Sequence, residues 1–226
     1  MIQFSNVSFQ YKGSEAFSVH DVSFTVHKGD FTVLSSPTGS GKSTILKLLD
    51  RELKAATGSI TVGNFELTKI SPSKVAAYRR TIGCVFQDFR LLEEKTVFEN
   101  VSFALEIQSN FKRKKIDLLV SEVLDRVGIL AQRDQFPKAL SLGEKQRTAI
   151  ARAIVNEPML LIVDNPTSQL DDVTAKQILS IFTSEHLRGM TIFFATTSAA
   201  PIKGLPPETR YLSMRNGMVV KYDRTD

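Results

Sequence analysis

Apolar and polar residues alternate along the first third of the chain. Within residues 1–10 the apolar positions are Ile2, Phe4, Val7 and Phe9, and the same period of two returns at residues 22–26. Side chains of a β-strand point alternately to the two faces of a sheet, so this pattern predicts strands that are buried on one face. Residues 58–67 predict a further antiparallel pair. The start of the chain is therefore expected to form an antiparallel β subdomain.

The pattern becomes helical in the middle of the chain. Between residues 96 and 127 apolar residues recur at three- and four-residue spacing, which predicts helices with one buried face. Further helices are expected over residues 45–49, from after Gly143 to about 156, and over 171–187. Together these segments predict a helical insertion at about residues 91–142 within a chain that also contains strands.

Residues 159–163 are a continuous apolar run, and residues 31–34, 82–86 and 191–195 are short, largely apolar segments. Such runs are typical of parallel strands buried on both faces. Residues 211–214 and 218–222, separated by a turn at Gly217, predict a final hairpin. Strands that alternate with helices form a mostly parallel sheet. The sequence thus predicts an α/β fold in a single domain over 1–226.

Composition excludes several classes of protein. The 226 residues are 42% hydrophobic and 23% charged, which argues against a disordered chain, and a single cysteine excludes a disulfide scaffold. The one thiol fits a reducing compartment. Residues 1–10 lack the basic start and apolar core of a signal peptide, and no segment approaches the roughly 20 apolar residues of a membrane span. We expect a soluble protein, or one held at a membrane by a partner.

The chain carries 29 Lys and Arg against 24 Asp and Glu, a net charge of +5. This excess fits nucleic-acid binding, contact with an anionic membrane surface, or simple solubility, and composition alone does not separate them. The densest basic run is residues 112–115. Because it opens a predicted helix, we interpret it as a solvated helix start.

A glycine-rich loop between a predicted strand and a predicted helix carries the strongest motif. It matches the P-loop pattern G-x-x-x-x-G-K-[ST] except at its first position, which is serine. Backbone N–H groups of such a loop surround phosphate oxygens, the lysine contacts the β/γ-phosphates, and the hydroxyl after it holds Mg²⁺. If the first position requires a positive φ, the serine costs about 1–2 kcal/mol. The predicted nucleotide-binding residues are Ser36, Pro37, Thr38, Gly39, Ser40, Gly41, Lys42, Ser43 and Thr44.

A second motif completes a nucleotide site. The apolar residues Leu160, Leu161, Ile162 and Val163 are followed by Asp164, the Walker B pattern in which a carboxylate at a strand end holds Mg²⁺. Many buried strands end in aspartate, so this motif alone would be weak evidence. Together with the P-loop it indicates a nucleotide site. ATP and Mg²⁺ are the expected cofactors.

With these motifs the chain resembles the nucleotide-binding domains of ABC transporters along essentially its whole length. Residues 140–147 are similar to the family signature L-S-G-G-[EQ]-x-Q-R, and residues 168–171 are similar to its D-loop. In that family two domains meet head to tail, and each ATP lies between one P-loop and the partner's signature. The resemblance therefore implies an ATP-driven homodimer. It places Tyr11 on the adenine, Gln87 in the Q-loop near the metal, and Ser141, Leu142, Gly143 and Glu144 at the partner's nucleotide.

Residues 78–92 and 95–101 carry a finer resemblance, to the FtsE-like ABC ATPases of cell division. It implies an ATPase at the cytoplasmic face of the bacterial inner membrane. An integral membrane protein resembling FtsX would be its partner, and the pair would regulate peptidoglycan hydrolysis. A role on nucleic acid is not expected, because the ABC-type ATPases that act there insert coiled coils or duplicate the cassette.

Three positions depart from the family pattern. Asn165 stands where the family has the glutamate that polarises water, Thr197 replaces a histidine near the γ-phosphate, and Leu142 replaces the first signature glycine. An amide cannot accept a proton as a carboxylate does, so hydrolysis is expected to be slow. Asp171 and Asp172 are candidate substitute bases. A non-catalytic nucleotide-gated scaffold and the ATPase of a lipoprotein or macrolide exporter are the alternatives.

Two further expectations concern residues outside these motifs. Cys84 lies in an apolar strand, so we interpret it as a buried structural thiol. His20, His27 and His186 show no spacing typical of metal ligands. Apolar residues around and after the Q-loop fit either core packing or, as the resemblance implies, a groove for a helix of the membrane partner; they are Phe86, Phe89, Leu91, Leu92 and Phe98.

Overall fold

The computed structural model describes residues 1–14, 16–108, 111–198 and 202–224. The strands are β1 (Ile2–Phe9), β2 (Val19–Val26), β3 (Phe31–Ser35), β4 (Thr57–Val62), β5 (Phe65–Glu66), β6 (Ile82–Val85), β7 (Leu160–Asp164), β8 (Thr191–Thr196), β9 (Arg210–Arg215) and β10 (Met218–Arg224). The α-helices are α1 (Lys42–Leu49), α2 (Pro72–Arg79), α3 (Val97–Gln108), α4 (Arg113–Arg126), α5 (Leu142–Ile154) and α6 (Asp172–Leu187). Two short 3₁₀ turns, Leu130–Gln132 and Pro137–Ala139, precede α5.

The strands form two sheets. One has four antiparallel strands in the order β2-β1-β4-β5, and the other has six in the order β10-β9-β3-β8-β7-β6. In the larger sheet every neighbouring pair from β9 to β6 is parallel, and the β9–β10 hairpin is antiparallel. The predicted mostly parallel core sheet, the N-terminal antiparallel sheet and the final hairpin are thus confirmed.

The central strands β3, β7 and β8 are largely apolar and almost entirely buried, so the larger sheet is covered on both faces. On β7, Leu161 and Val163 pack against α3, α4, α5 and α6, while Leu160 and Ile162 pack toward α1 and the antiparallel sheet. Successive side chains of a strand point to opposite faces, so one strand supplies both cores. Because β3 and β7 run parallel in this sheet, their carboxyl ends lie at the same edge. The P-loop follows β3 there, and Asp164 ends β7.

The helical segment between residues 96 and 127 contains two helices, α3 and α4. Helix α2 was not predicted from the sequence. It begins with a proline after Ser71, and Tyr78 is its one buried residue, so its apolar periodicity is too weak to identify it. None of the helices in the described part of the chain is long and apolar enough to cross a membrane. The single-domain boundary at 1–226 and the insertion at about 91–142 remain predictions.

Candidate nucleotide-binding site

The P-loop joins the end of β3 to the start of α1. Gly39 and Gly41 have φ values of 81° and 99°, which favour glycine. A Cβ at Gly41 would lie 2.1 Å from the carbonyl oxygen of Ser18, whereas a Cβ at Gly39 would meet no atom within 4 Å. One glycine therefore lets the loop pack against the neighbouring backbone, and the other faces open space. The loop ends at the N-terminus of α1, which has no acidic residue in its first turn and is suited to an anion.

Ser36 does not strain the loop. It is absent from the left-handed non-glycine positions of the described chain, so the conditional cost predicted for a serine at the first P-loop position does not arise. The side chain is 2% exposed, and the backbone N–H donates to the carbonyl of Thr196 over 3.1 Å. This bond ties the start of the P-loop to the end of β8.

Lys42, Ser43 and Asp164 come together at the base of the loop. Lys42 is buried, and Ser43 and Asp164 line the same pocket. Burial raises the pKa of Asp164, and the nearby Lys42 opposes that rise. The Asp164 Oδ1 is buried and accepts no hydrogen bond from the described residues.

These residues fit Mg²⁺ and a nucleotide phosphate. A buried carboxylate oxygen without a partner is costly unless a cation or bound water satisfies it. Oxygen ligands are those that Mg²⁺ prefers. Ser43 and Asp164 would hold the ion, while Lys42 and the loop amides would bind the phosphates.

Tyr11 lies beside the first turn of α1. Its hydroxyl is 3.3 Å from the Thr44 Oγ1, and its ring packs edge-on against Phe9 with centroids 4.9 Å apart. The side chain keeps 38% of its surface exposed. An aromatic ring fixed at the side of the phosphate loop, with free surface, can stack on a purine base.

The Q-loop is held by an arginine that the sequence did not single out. Gln87 is exposed just after β6, and the next residues, Phe89 and Arg90, have φ values of 58° and 48°. The Arg152 guanidinium on α5 donates to the Phe89 carbonyl over 2.7 Å and to the Arg90 carbonyl over 2.5 Å. The Arg90 guanidinium lies 3.8 Å from the centre of the Phe86 ring. Tertiary contact from α5 thus fixes a turn that is unfavourable by itself.

The signature segment starts α5 and lies in another pocket. Ser141 caps the helix: its Oγ accepts from the Glu144 N–H over 3.3 Å, and the Glu144 Oε2 accepts from the Ser141 N–H over 2.8 Å. Leu142 is 45% exposed. Ser141, Leu142, Gly143 and Glu144 line a cleft with Asp171, separate from the pocket of Ser43 and Asp164. The two clefts share no lining residue.

Asn165 and Thr197 lie at the ends of β7 and β8. Asn165 is 8% exposed, has a φ of 46°, and donates its backbone N–H to the Ala195 carbonyl over 2.8 Å. Asparagine is one of the non-glycine residues that tolerate this left-handed conformation. Thr197 is exposed. Neither side chain offers a carboxylate or imidazole as a general base.

Asp171 is poorly suited to replace the missing base. Its Oδ1 accepts from the N–H groups of Val173 and Thr174, and its Oδ2 accepts from the Thr174 hydroxyl over 2.6 Å. These bonds lower the pKa of Asp171, because they stabilise its charged form. The carboxylate serves as the N-cap of α6.

A surface groove of about 710 Å³ runs beside the Q-loop. Phe86 and Leu92 line it together with Phe103 and Ile107 of α3, whereas Leu91 does not. Its cations are Arg79, Arg80, Arg90 and Arg152, and none of its lining residues is acidic.

The remaining candidates are Cys84 and the histidines, and Cys84 is of intermediate exposure. Burial raises the pKa of the Cys84 thiol, so the reactive thiolate is disfavoured. Within the described ranges, no three His, Cys, Asp or Glu residues are grouped as metal ligands.

Comparison with known proteins agrees with this geometry. The ABC transporter family model matches residues 19–168. The chain is 42% identical to the cell division ATP-binding protein FtsE of Streptococcus pneumoniae, over 90% of this chain and 87% of that protein. It is 36% identical to the methionine import ATP-binding protein MetN 1 of Burkholderia pseudomallei, over 90% of this chain and 60% of that protein.

Among solved structures, the dimeric structure of MJ0796, a bacterial ABC transporter cassette, superposes with a TM-score of 0.91 at 27% identity. The match covers 100% of this chain and 99% of that one. The P-loop, the strand-terminal Asp164, the signature cap and these similarities lead to one conclusion: the chain belongs to the ABC transporter family, as an ATP-binding domain.

Proposed function

We propose that the chain is the ATP-binding subunit of a cell-division ABC complex, in which ATP clamps two copies together and is hydrolysed slowly. One observation carries this proposal. The residues that bind phosphate and metal are assembled, while the position next to Asp164 holds Asn165. The similarity to FtsE supports the cell-division role.

Slow turnover follows from the chemistry at this position. Attack of water on the γ-phosphate is helped by a group that orients the water and accepts its proton. Asn165 has no carboxylate, and Thr197 supplies no imidazole. A missing general base costs roughly 10²–10⁴ in rate. Binding depends instead on Lys42, Ser43 and the loop amides, so it is retained.

ATP-driven dimerisation is supported by the separation of the two clefts. The signature cleft presents the N-terminus of α5, whose free N–H groups and dipole favour an anion. In the proposed dimer this helix end meets the γ-phosphate held by the partner's P-loop. Leu142, 45% exposed at that surface, would loosen the contact and favour reversible closure.

The groove beside the Q-loop is the proposed contact with a membrane protein resembling FtsX. Its apolar wall and its arginines suit a short helix, and Arg152 links the groove to the Q-loop. Closure of the dimer would thus be transmitted across the membrane to regulate peptidoglycan hydrolases. This places the chain at the cytoplasmic face of the bacterial plasma membrane, held there by its partner.

Single-turnover hydrolysis tests the proposal, with the chain alone and with its membrane partner. Lys42→Ala measures contamination. Asn165→Glu restores a carboxylate on the side chain that the family has at this position. Asn165→Asp restores the negative charge on a side chain that is one methylene group shorter. We expect tight Mg-ATP binding, slow turnover that still exceeds the Lys42→Ala background, and a gain for Asn165→Glu that exceeds the gain for Asn165→Asp. Rapid hydrolysis by the wild type would overturn the proposal that ATP is hydrolysed slowly.

A transporter role is the second candidate, because MetN 1 is 36% identical to this chain. Purification of the complex from its native membrane separates the two roles. A co-purifying membrane protein similar to FtsX supports the proposal, and a transporter permease supports the alternative. A nucleotide-gated scaffold is indicated if binding and dimerisation persist with no turnover in any complex.

A further inference from the structure

The start of α4 combines cations with exposed apolar side chains. Lys112, Arg113, Lys114 and Lys115 are consecutive and exposed, and so are Phe111 before them and Leu118 one turn after. Phe111 is 44% and Leu118 51% exposed. Lys114, Lys115 and Leu118 share the outward face of the helix, opposite the buried Val120, Val123 and Leu124. We call these six residues, Phe111 to Lys115 and Leu118, the basic-apolar patch.

This helix start is unfavourable for the helix itself. Its N-cap is Lys112, which makes no side-chain capping bond, and its first turn contains no acidic residue. Cations at a helix N-terminus face the positive end of the macrodipole, where anions are favoured. Serine, threonine, aspartate or asparagine would cap the helix better. Local stability therefore does not account for these residues.

Among the residues that the structure describes, the cations of the patch have no carboxylate partner in a salt bridge. No salt bridge found within the described ranges involves residues 112–115. Asp117, the acid on the same turn, is engaged by Arg133, with its Oδ1 2.8 Å from the guanidinium. The positive charge of the patch is therefore not compensated by its nearest carboxylate.

We propose that the basic-apolar patch binds the surface of an anionic lipid bilayer. Basic residues are attracted by the negative headgroups, and aromatic and leucine side chains between them enter the headgroup boundary. Contacts to duplex DNA go mainly to phosphates through basic and polar side chains, whereas aromatic stacking serves single strands. The exposed Phe111 and Leu118 favour lipid.

The position of the patch agrees with this occupant. Phe103 and Ile107 of α3 are 40% and 55% exposed and line the groove beside the Q-loop. Phe111 follows Ile107 by four residues. In sequence the patch thus follows the part of α3 that lines the groove, and lipid contact by the patch does not depend on the proposed membrane protein.

Vesicle co-sedimentation of the purified chain tests the proposal without any partner. Vesicles of phosphatidylcholine alone are compared with vesicles containing about one third phosphatidylglycerol. We expect binding to the anionic vesicles only, weakened by salt. The Lys114→Gln/Lys115→Gln variant should bind about 25-fold more weakly, since each cation near an anionic surface contributes roughly a fivefold factor.

A matched variant separates the patch from net charge. Lys28→Gln/Lys176→Gln removes two exposed lysines elsewhere, and its vesicle binding should change less than twofold. Leu118→Gln leaves the charge intact and should weaken the binding that survives at high salt. Equal losses in both lysine variants, or equal binding to neutral vesicles, would overturn the proposal. So would binding to duplex DNA that depends on Lys114 and Lys115 while vesicles stay unbound.

Discussion

Replacing Arg152 with methionine tests how the Q-loop is held. Methionine keeps most of the side-chain volume and removes the guanidinium. Two hydrogen bonds are lost, to the Phe89 and Arg90 carbonyls at 2.7 and 2.5 Å. Both acceptor residues have positive φ, so the loop loses the contacts that hold an unfavourable backbone.

The magnitude follows from two opposing effects. A hydrogen bond from a charged donor contributes about 1.5–3 kcal/mol, so the pair contributes roughly 3–6 kcal/mol. Burial lowers the pKa of Arg152, which shows that the fold bears a desolvation cost that methionine removes. We expect the free energy of unfolding to fall by about 2–4 kcal/mol in Arg152→Met.

Urea unfolding measures this difference, and Mg-ATP binding is measured on the same samples. ATP affinity should change little, because Lys42 and the P-loop lie on other elements. Arg80→Met is the control: Arg80 is exposed, so its loss should stay within about 0.5 kcal/mol. A loss below about 0.5 kcal/mol in Arg152→Met would refute the inference that this arginine holds the Q-loop.

Three further predictions concern other parts of the chain. In Gly143→Ala the new Cβ would lie 2.7 Å from the Thr174 Cγ2, so the variant should lose stability in thermal unfolding. Thr174→Ser removes that methyl group. Added to Thr174→Ser, the Gly143→Ala substitution should therefore stabilise α5 by up to about 1 kcal/mol. Tyr11→Ala should weaken ATP binding about tenfold in calorimetry while Tyr11→Phe does not, because stacking on a base contributes about 1–3 kcal/mol. Burial raises the pKa of Glu185, and Arg126 opposes that rise only in part. Glu185 therefore binds its proton more tightly in the folded than in the unfolded chain, and the stability that this contributes is lost as pH rises from the ordinary glutamate range through the raised pKa. The free energy of unfolding is measured for the wild type and for Glu185→Gln at acidic and at neutral pH. Relative to the wild type, Glu185→Gln should be more stable at neutral pH than at acidic pH.

Much of the fold was determined by local pattern. Alternation of apolar and polar residues predicted the antiparallel strands, and short, largely apolar segments predicted the parallel ones. Burial of a strand on one face or on both faces determines which of its positions are apolar, so both patterns can be read from the sequence. The P-loop and Asp164 were identified in the same way, since their spacing follows from phosphate and metal geometry. Helix α2 left no such trace, because Tyr78 is its only buried residue.

Contacts between distant segments decided the rest. The sequence left open whether Ser36 strains the P-loop, and the backbone path from β3 to α1 shows that it does not. Asp171 was a candidate base until its carboxylate was seen to cap α6. Arg152 lies 62 residues from the Arg90 carbonyl that it holds, and no local pattern encodes such a pair. Sequence periodicity reports which faces are buried, whereas the partners of a polar group depend on how the elements pack.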